Sequence, residues 1–335
     1  MANLPGQPKV LHVSSDFPDP VEPFKANVVK NVLQISSGSF DHSVFSLNRK
    51  SPPLSAVAYD LVGRHGLQTD IVPFEHGDAI TYLAPPLGIL HRTKLEQLGD
   101  VLAERALRGS VRPNLVMGHK LTIEGIVANR IAKRLGVPFG LSIQGNTDLK
   151  IIASRPDLRR YYARILKDAA IVFPFTPWAQ AAVERSLGPR DRATLLLPCP
   201  SDLDQARAPQ GKGDTFVSVF HLKNYPGKNL AGIAKAYRLL ARDGTPPPLD
   251  VIGGGTDEDF RACGELTQAF PQIRLVGAMN RSELAERLPR AKALIMPSLR
   301  ESFGLVFIEA LFAGIPIIYP RGTAVDGYFD GAPLP

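Results

Sequence analysis

The sequence predicts an α/β protein made of two doubly wound, Rossmann-like domains facing a cleft, and three observations carry that prediction. Short apolar runs alternate with stretches of helical periodicity along the chain, the pattern of repeated βαβ units around a parallel sheet. A length of 335 residues leaves room for two domains. A stretch rich in Pro, Gly, Asp and Gln at residues 198–214 divides the chain into an amino-terminal domain, 1–200, and a carboxyl-terminal domain, 201–335.

In the first domain, residues 10–14 (VLHVS) predict a strand, followed by DFPDPVEPFKAN and a helix over 28–35. Lys25 and Asn27 stand at the helix entrance, where they either serve an anionic group or simply cap a helix under a surface loop. Residues 42–47 predict a second strand, and 63–73 a turn and another short one. Over 93–107, Leu95, Leu98, Val101, Leu102 and Leu107 fall at helical spacing among charges and read as scaffold. Residues 114–119 (NLVMGH) predict a strand ending in His119, ahead of a helix over 122–135. A histidine at a strand end either faces a ligand or caps the next helix. The strand over 137–143 leads to Gln144, whose amide can bond a hydroxyl but cannot shuttle a proton. Residues 156–168 form a basic helix carrying Arg159, Arg160, Arg164 and Lys167, which either lies on an anionic membrane or is a solvated face. A strand over 170–175, a helix over 178–187 ended by Gly188 and Pro189, and an apolar run at 194–197 close the domain.

The second domain opens with a strand over 216–222, a KNYPGK loop and a helix from Asn229 to about Ala241. Lys228, an ammonium at a helix start, is a physically sound anion site; the bland alternative is an exposed lysine in a turn. Residues 249–253 predict the next strand, leading to Gly254 and Gly255 and an acid-rich helix start at Asp257. Further elements are a strand over 273–277, Ala278 and Met279 after it, and a helix over 282–288. Asp202-Leu203-Asp204 superficially matches a metal-binding pair, but it lies in the polar linker, and no metal is expected.

The chain is organised around residues 293–320, ALIMPSLRESFGLVFIEALFAGIPIIYP. A strand closes on Pro297 and Ser298, a polar loop carries Glu301, a helix runs from Leu305 to Ala313, and a second strand covers 315–319. At such a junction, on the carboxyl end of a strand, α/β sheets hold their ligands, and a helix start offers unpaired N–H groups to an anion. Glu301 and Glu309 bracket the turn. Gly304 lets backbone approach a ligand without a Cβ in the way.

Glu301, seven residues, then Glu309, together with Pro297, Ser298, Phe303, Gly304, Ala310, Gly314 and Pro316, resembles the E-x7-E signature of family-4 retaining glycosyltransferases of the GT-B fold. The resemblance covers the second domain well and the first in outline. It implies a nucleotide-sugar donor held mainly by the second domain. Glu309 would bond the ribose, Lys228 with the Leu305 and Val306 amides the diphosphate, and Glu301 with Phe303 and Gly304 the sugar. Gly254 and Gly255 would lie beside the donor and Met279 near the base, while His221 or Lys223 would stand in for a family arginine absent here. His119 would line the sugar as a catalytic residue alongside Glu301. The family places a glycine pair where Pro18, Pro20 and Pro23 stand and His-Gly where Gln144 stands. It also continues for several tens of residues past the position of Gly331, so the resemblance implies a shortened carboxyl terminus.

Charge and composition bound the remaining classes. Residues 1–200 hold 24 Lys and Arg against 17 Asp and Glu, whereas 201–335 hold 15 of each. The basic half suits an anionic membrane face or a glycan or lipid-linked acceptor; no recognition motif accompanies it that would suit nucleic acid. No apolar window spans a membrane and no signal core opens the chain, so a cytoplasmic protein, peripheral at the inner membrane face, is expected. Cys199 and Cys263 lack metal or redox spacing. Neither cofactor nor metal is expected beyond the nucleotide-sugar substrate. The rival readings are a GT-B epimerase or hydrolase, a non-catalytic sugar-nucleotide binder, and, weakest, a nicotinamide oxidoreductase without the glycine fingerprint after its first strand.

Overall fold

The computed structural model describes residues 6–52, 67–109, 112–201, 203–208, 210 and 213–331. The chain divides into two compact units, Met1–Cys199 and Pro200–Pro335. Each is a sheet with helices packed on it.

The first unit contains β1 (Lys9–Ser14), α1 (Val28–Ser36), β2 (Asp41–Lys50), β3 (Thr69–Phe74), β4 (Gly77–Leu83), α2 (His91–Arg108), β5 (Leu115–Gly118), α3 (Glu124–Leu135), β6 (Phe139–Ile143), α4 (Asn146–Ser154), α5 (Arg159–Asp168), β7 (Ile171–Pro174) and α6 (Pro177–Leu187). The strand order is β3-β4-β2-β1-β5-β6-β7, parallel throughout except for β3, which runs antiparallel to β4. Leu11, Val13, Val116, Leu141, Ile126, Ile131 and Tyr162 share one core, while Phe17, Val29, Leu33 and Val44 form a smaller cluster. Strands covered on both faces read as apolar runs, which is why β1, β5 and β6 were visible in the sequence.

Two elements depart from the sequence reading. The strand β4 escapes it because Asp78 and Thr81 break the apolar run; both are buried, and Asp78 accepts two hydrogen bonds from Arg105 at 2.9 and 2.8 Å. The helix α4 escapes it because its Asp148 points inward and is fully buried. Residues 194–197 run beside β7 through an isolated bridge, Val172 to Thr194, and a bond from the Leu197 N–H to the Pro174 carbonyl at 3.0 Å. The basic helix begins at Arg159, after a 3-10 turn at Pro156–Leu158. Of the turn and short strand expected over 63–73, residues 63–66 lie outside the described residues, as does the Asp202 of the linker pair.

The second unit contains β8 (Phe216–Val219), α7 (Leu230–Leu240), β9 (Leu249–Ile252), α8 (Asp257–Thr267), β10 (Ile273–Gly277), α9 (Arg281–Arg287), β11 (Leu294–Ile295), α10 (Leu305–Phe312) and β12 (Ile317–Ile318). Its parallel strands run in the order β10-β9-β8-β11-β12. The helix α8 starts on a capping box in which Thr256 and Asp259 satisfy each other's end of the chain, worth about 1 kcal/mol.

In both sheets the order reverses once. The chain leaves β1 toward β2 and returns with β5 on the other side; it leaves β8 toward β9 and β10 and returns with β11. The loops after β1 and β5, and after β8 and β11, therefore diverge at the carboxyl edge, where open α/β sheets bind ligands.

Candidate functional site

At the reversal in the second sheet, the loop after β8 and the loop after β11 are clasped together. Leu299 N–H donates to the Gly227 carbonyl at 2.8 Å, and Asn229 Nδ2 donates to the Pro297 carbonyl at 3.1 Å. Asn229 itself sits at φ +60°, a conformation asparagine tolerates better than most residues, and its Oδ1 caps α7 through the Gly232 N–H. This brings the Lys228 ammonium into direct contact with the Glu301 carboxylate. The Glu301 backbone is fixed in turn: its N–H donates to Thr323 Oγ1 at 3.2 Å, and its carbonyl accepts from the Thr323 hydroxyl at 2.6 Å.

Gly304 follows at φ +79°. A Cβ there would come within 2.6 Å of the Phe307 ring and 3.1 Å of Glu301 Cγ, so both conformation and space demand glycine. No side chain caps α10 at Gly304, and the Leu305 and Val306 amides are among the first-turn donors without an intrahelical acceptor. Phe303 is buried with its ring edge-on to Tyr328. The Ser298 hydroxyl, in the same loop, is buried without a hydrogen-bond partner.

Glu309 lies a turn further on, 4% exposed. Its Oε1 accepts from Ser201 Oγ and from Arg281 Nη2, each at 2.9 Å. A buried carboxylate needs such partners, yet neither was signalled in the sequence: Ser201 reads as linker and Arg281 as the first residue of an ordinary helix. Met279 is half-buried two residues before Arg281.

The other predicted donor residues form a separate group. His221 is exposed, and its Nδ1 accepts from the Lys223 N–H at 3.3 Å. The carboxyl of Asp259 is held below its usual range first by the Thr256 N–H, with His221 and Lys223 adding to the effect. The Gly254 carbonyl accepts from Leu222 N–H at 2.8 Å, and a Cβ on Gly255 would meet the Cβ atoms of Leu222 and Asp259 at 2.9 Å. Gly255 thus has a packing reason of its own, whereas a Cβ on Gly254 would meet nothing closer than Ala278 at 3.4 Å.

In the first unit the structure gives partners to two residues that the sequence left open. Lys25 is not offered to a ligand: its side chain is 8% exposed and sits 2.8 Å from Asp19. Although burial pushes the Asp19 carboxyl up, hydrogen bonds from Lys25, Ser46, the Glu22 N–H and Asn48 outweigh it and hold the group at about 2. His119, expected to face a ligand, has both ring nitrogens taken inside the sheet. Its Nε2 is 2.9 Å from His12 Nδ1, and its Nδ1 is 3.1 Å from Ser142 Oγ. The row continues from His12 Nε2 to His42 Nδ1 at 2.9 Å and from His42 Nε2 to Ser36 Oγ at 3.0 Å.

The direction of this row follows from its far end. The Ser36 hydroxyl donates to the Val32 carbonyl at 2.7 Å, so Ser36 Oγ accepts from His42 Nε2–H. His42 Nδ1 then accepts from His12 Nε2–H, His12 Nδ1 from His119 Nε2–H, and His119 Nδ1 from the Ser142 hydroxyl. All three imidazoles are neutral Nε2–H tautomers, and no donor or acceptor in the row is wasted. Burial, and after it the repulsion that a protonated His119 or His42 would exert, holds His12 well below its ordinary value; burial also lowers His42 and takes His119 to about 4.

Beside His119, the loops after β1 and β5 hold a charged cluster that the sequence reading missed. Lys120 Nζ lies 2.7 Å from Asp16 and 3.5 Å from Glu124. Burial pulls its pKa down, but those carboxylates hold it above the ordinary value. Glu124 Oε1 takes the Ser15 N–H and hydroxyl at 2.9 and 2.6 Å, and Asp148 Oδ1 takes those of Thr122 at 2.9 and 2.8 Å. Each carboxylate thus ties down one loop and leaves its second oxygen buried without a partner. Among the described residues, no group of three or more His, Cys, Asp or Glu is placed to hold a metal ion, and no helix is long and apolar enough to cross a membrane.

Residues 202–326 match the family of glycosyl transferases group 1. The chain is 34% identical over 113 residues to a D-inositol 3-phosphate glycosyltransferase of Jonesia denitrificans, covering 32% of this chain and 27% of that protein. It is 32% identical over 123 residues to a sucrose synthase of Acidithiobacillus caldus, covering 31% and 16%. It therefore spans well under two thirds of the length of these relatives. Among solved structures, a sucrose-phosphate synthase from Thermosynechococcus elongatus superposes with a TM-score of 0.62 at 19% identity, covering 95% of this chain and 82% of that one. An E. coli structure bound with UDP-2-fluoro glucose gives 0.60 at 11%, covering 93% and 83%. The chain thus has the two-sheet, Rossmann-like α/β fold of GT-B glycosyltransferases, and its residues 202–326 match the group 1 glycosyl transferases.

Proposed function

We propose that the protein is a retaining glycosyltransferase of the family-4 kind. It would move a sugar from a nucleotide-diphosphate donor to a glycan or lipid-linked acceptor, without a metal, at the inner face of the cytoplasmic membrane. The observation that carries this reading is the Lys228–Glu301 contact at the sheet reversal, beside the uncapped start of α10. A diphosphate placed there would meet the ammonium and the Leu305 and Val306 amides, which neutralise the charge that grows on it as the glycosidic bond breaks. Glu301, released from Lys228, would take sugar hydroxyls over Phe303 and Gly304. Glu309 would exchange Arg281 or Ser201 for ribose hydroxyls.

The acceptor hydroxyl would attack from the face that the diphosphate leaves, so configuration is retained and the leaving phosphate takes the proton. His119 spends both nitrogens within its own sheet, which leaves it outside that proton transfer. Titration of nucleotide sugars by calorimetry tests the donor site: binding by the wild type that is lost in both Lys228→Ala and Glu309→Ala supports it, and wild-type affinity in both variants overturns it. Comparing sugar transfer with free nucleotide release separates a transferase from an epimerase, a hydrolase or a non-catalytic binder.

A further inference from the structure

We propose that the first unit carries a second ligand site, for a small sugar phosphate or polyol phosphate, in the cavity between the amino edge of its sheet and the end of α2. The cavity holds about 480 Å³, within the range of about 300–1,000 Å³ usual for small-molecule sites. Residues two apart on a strand share a face. Lys9 and Leu11 of β1 therefore point the same way as their partners Asp41 and Ser43 of β2, and the pairing of Phe45 with Asp78 brings β4 onto that face. Deeper in, Leu11, Phe45 and Ile80 pack with Leu98 and Leu102 of α2 in the core; at this edge the helix ends and the face turns charged. Ser43 is exposed although β2 lies inside the sheet, between β4 and β1, so the helix layer is open above it.

Three cations and two carboxylates line the opening. Lys9 Nζ lies 2.9 Å from Asp41. Arg105 donates to Asp78 through Nε and Nη2 at 2.9 and 2.8 Å, which leaves its Nη1 without a partner among the described residues. Arg108, three residues further along α2 and so on the same face of the helix, is exposed and has no ion-pair partner among the described residues. The opposite wall is fixed to β1: the Asn114 N–H donates to the Lys9 carbonyl and Asn114 Oδ1 accepts from the Lys9 N–H, both at 2.8 Å, which seats Pro113 against the cavity. Two ion pairs alone are an ordinary way to close a sheet edge, and the last turn of a helix favours cations. Neither accounts for the third cation, Arg108, or for the space left between the pairs. A phosphate would draw on Arg108, Arg105 Nη1 and the Lys9 ammonium, and hydroxyls on the same ligand would donate to Asp41 and Asp78 and meet Ser43. Inorganic phosphate would leave the two carboxylates facing a like charge, and a neutral sugar would leave Arg108 unmatched. The site lies at the other end of β1 from the Ser15 and Asp16 loop, and Lys228, Glu301 and Glu309 belong to the second unit, so it does not rest on the proposed function.

Isothermal titration of the full chain with glucose 6-phosphate, glucose and inorganic phosphate tests this. Glucose 6-phosphate is expected to bind at least about tenfold more tightly than either of the other two, and more weakly as salt is added. Arg108→Glu is expected to lower that affinity by at least about tenfold with Tm unchanged, because the side chain is exposed and unpaired. Amide NMR shifts on adding glucose 6-phosphate are expected at Ser43 and Gly109 in the wild type and not in the variant. Undetectable binding of glucose 6-phosphate at millimolar concentration overturns the proposal. So does wild-type affinity in Arg108→Glu, or equal affinity for glucose or for inorganic phosphate. Nucleotide-sugar titration of Arg108→Glu is expected to match the wild type, so failure of the donor reading would register there and not in the glucose 6-phosphate titration.

Discussion

The ammonium of Lys228 rests on the carboxylate of Glu301, 73 residues later in the chain. Each group is the other's counter-ion across the sheet reversal, and both side chains are largely buried, at 20% and 15% exposed. A ligand that brings an anion and a set of hydroxyls on neighbouring atoms can replace both halves of that pair at once. A ligand bringing only one of them engages half of the pair, which is a physical basis for selecting a sugar joined to a diphosphate over either part alone.

Lys228→Ala is accordingly expected to weaken nucleotide-diphosphate sugar binding by at least about tenfold, or ~1.4 kcal/mol. Glu301→Gln is expected to spare free nucleoside diphosphate and weaken only the sugar-bearing form. Isothermal titration with the two ligands on each variant checks this, and equal loss for both ligands in Glu301→Gln contradicts the division of roles.

The strands β1, β5 and β6 and the strand-loop-helix at 293–313 were legible because burial on both faces writes an apolar run and a helix start writes its own punctuation. What escaped were partnerships made across distance. Nothing at Ser201 or Arg281 announces that they meet at Glu309, and His12, His42 and His119 are lone histidines until the sheet sets three strands side by side. Lys25 stayed open for the same reason: a lysine at a helix entrance looks the same whether it faces a phosphate or a buried Asp19.

Gly304→Ala should fail by geometry. The added methyl meets the Phe307 ring at 2.6 Å, Phe307 is fully buried, and the backbone stands in the left-handed region. A loss of about 1–3 kcal/mol is expected, measured as a fall in the urea midpoint with the slope unchanged. Donor binding should weaken beyond what the lost stability explains, because the start of α10 must move with Phe307.

Arg281→Ala leaves the buried Glu309 carboxylate with only Ser201, and a cost of about 1–3 kcal/mol is expected. If ribose hydroxyls take over at Glu309, ligand should restore part of that loss. The rise in Tm on adding saturating nucleotide sugar is then expected to be larger in Arg281→Ala than in the wild type, whereas an equal rise would separate Arg281 from the ligand.

The row of imidazoles makes stability depend on pH, with a definite sign. The unfolded chain protonates His119 near 6.5, whereas burial delays this to about 4 in the folded chain; His12 and His42 are lowered too. The unfolded state therefore binds more protons in that window, so stability present above pH 6.5 is lost as the pH falls toward 4. Asp148 works in the opposite direction. Burial raises it from 3.8 to about 6, so acidification through 6 favours the fold, and one group offsets part of the effect of three. Urea unfolding at pH 7.5, 6 and 5 (round values spanning the window) is expected to show falling stability, and Asp148→Asn should steepen the fall. Nitrogen-15 spectra assigned to His12, His42 and His119 at neutral pH should show an Nε2–H tautomer at each. An imidazolium or Nδ1–H form at any of these three would mean that the row does not run from Ser142 to Ser36, and the pH dependence would then need another source.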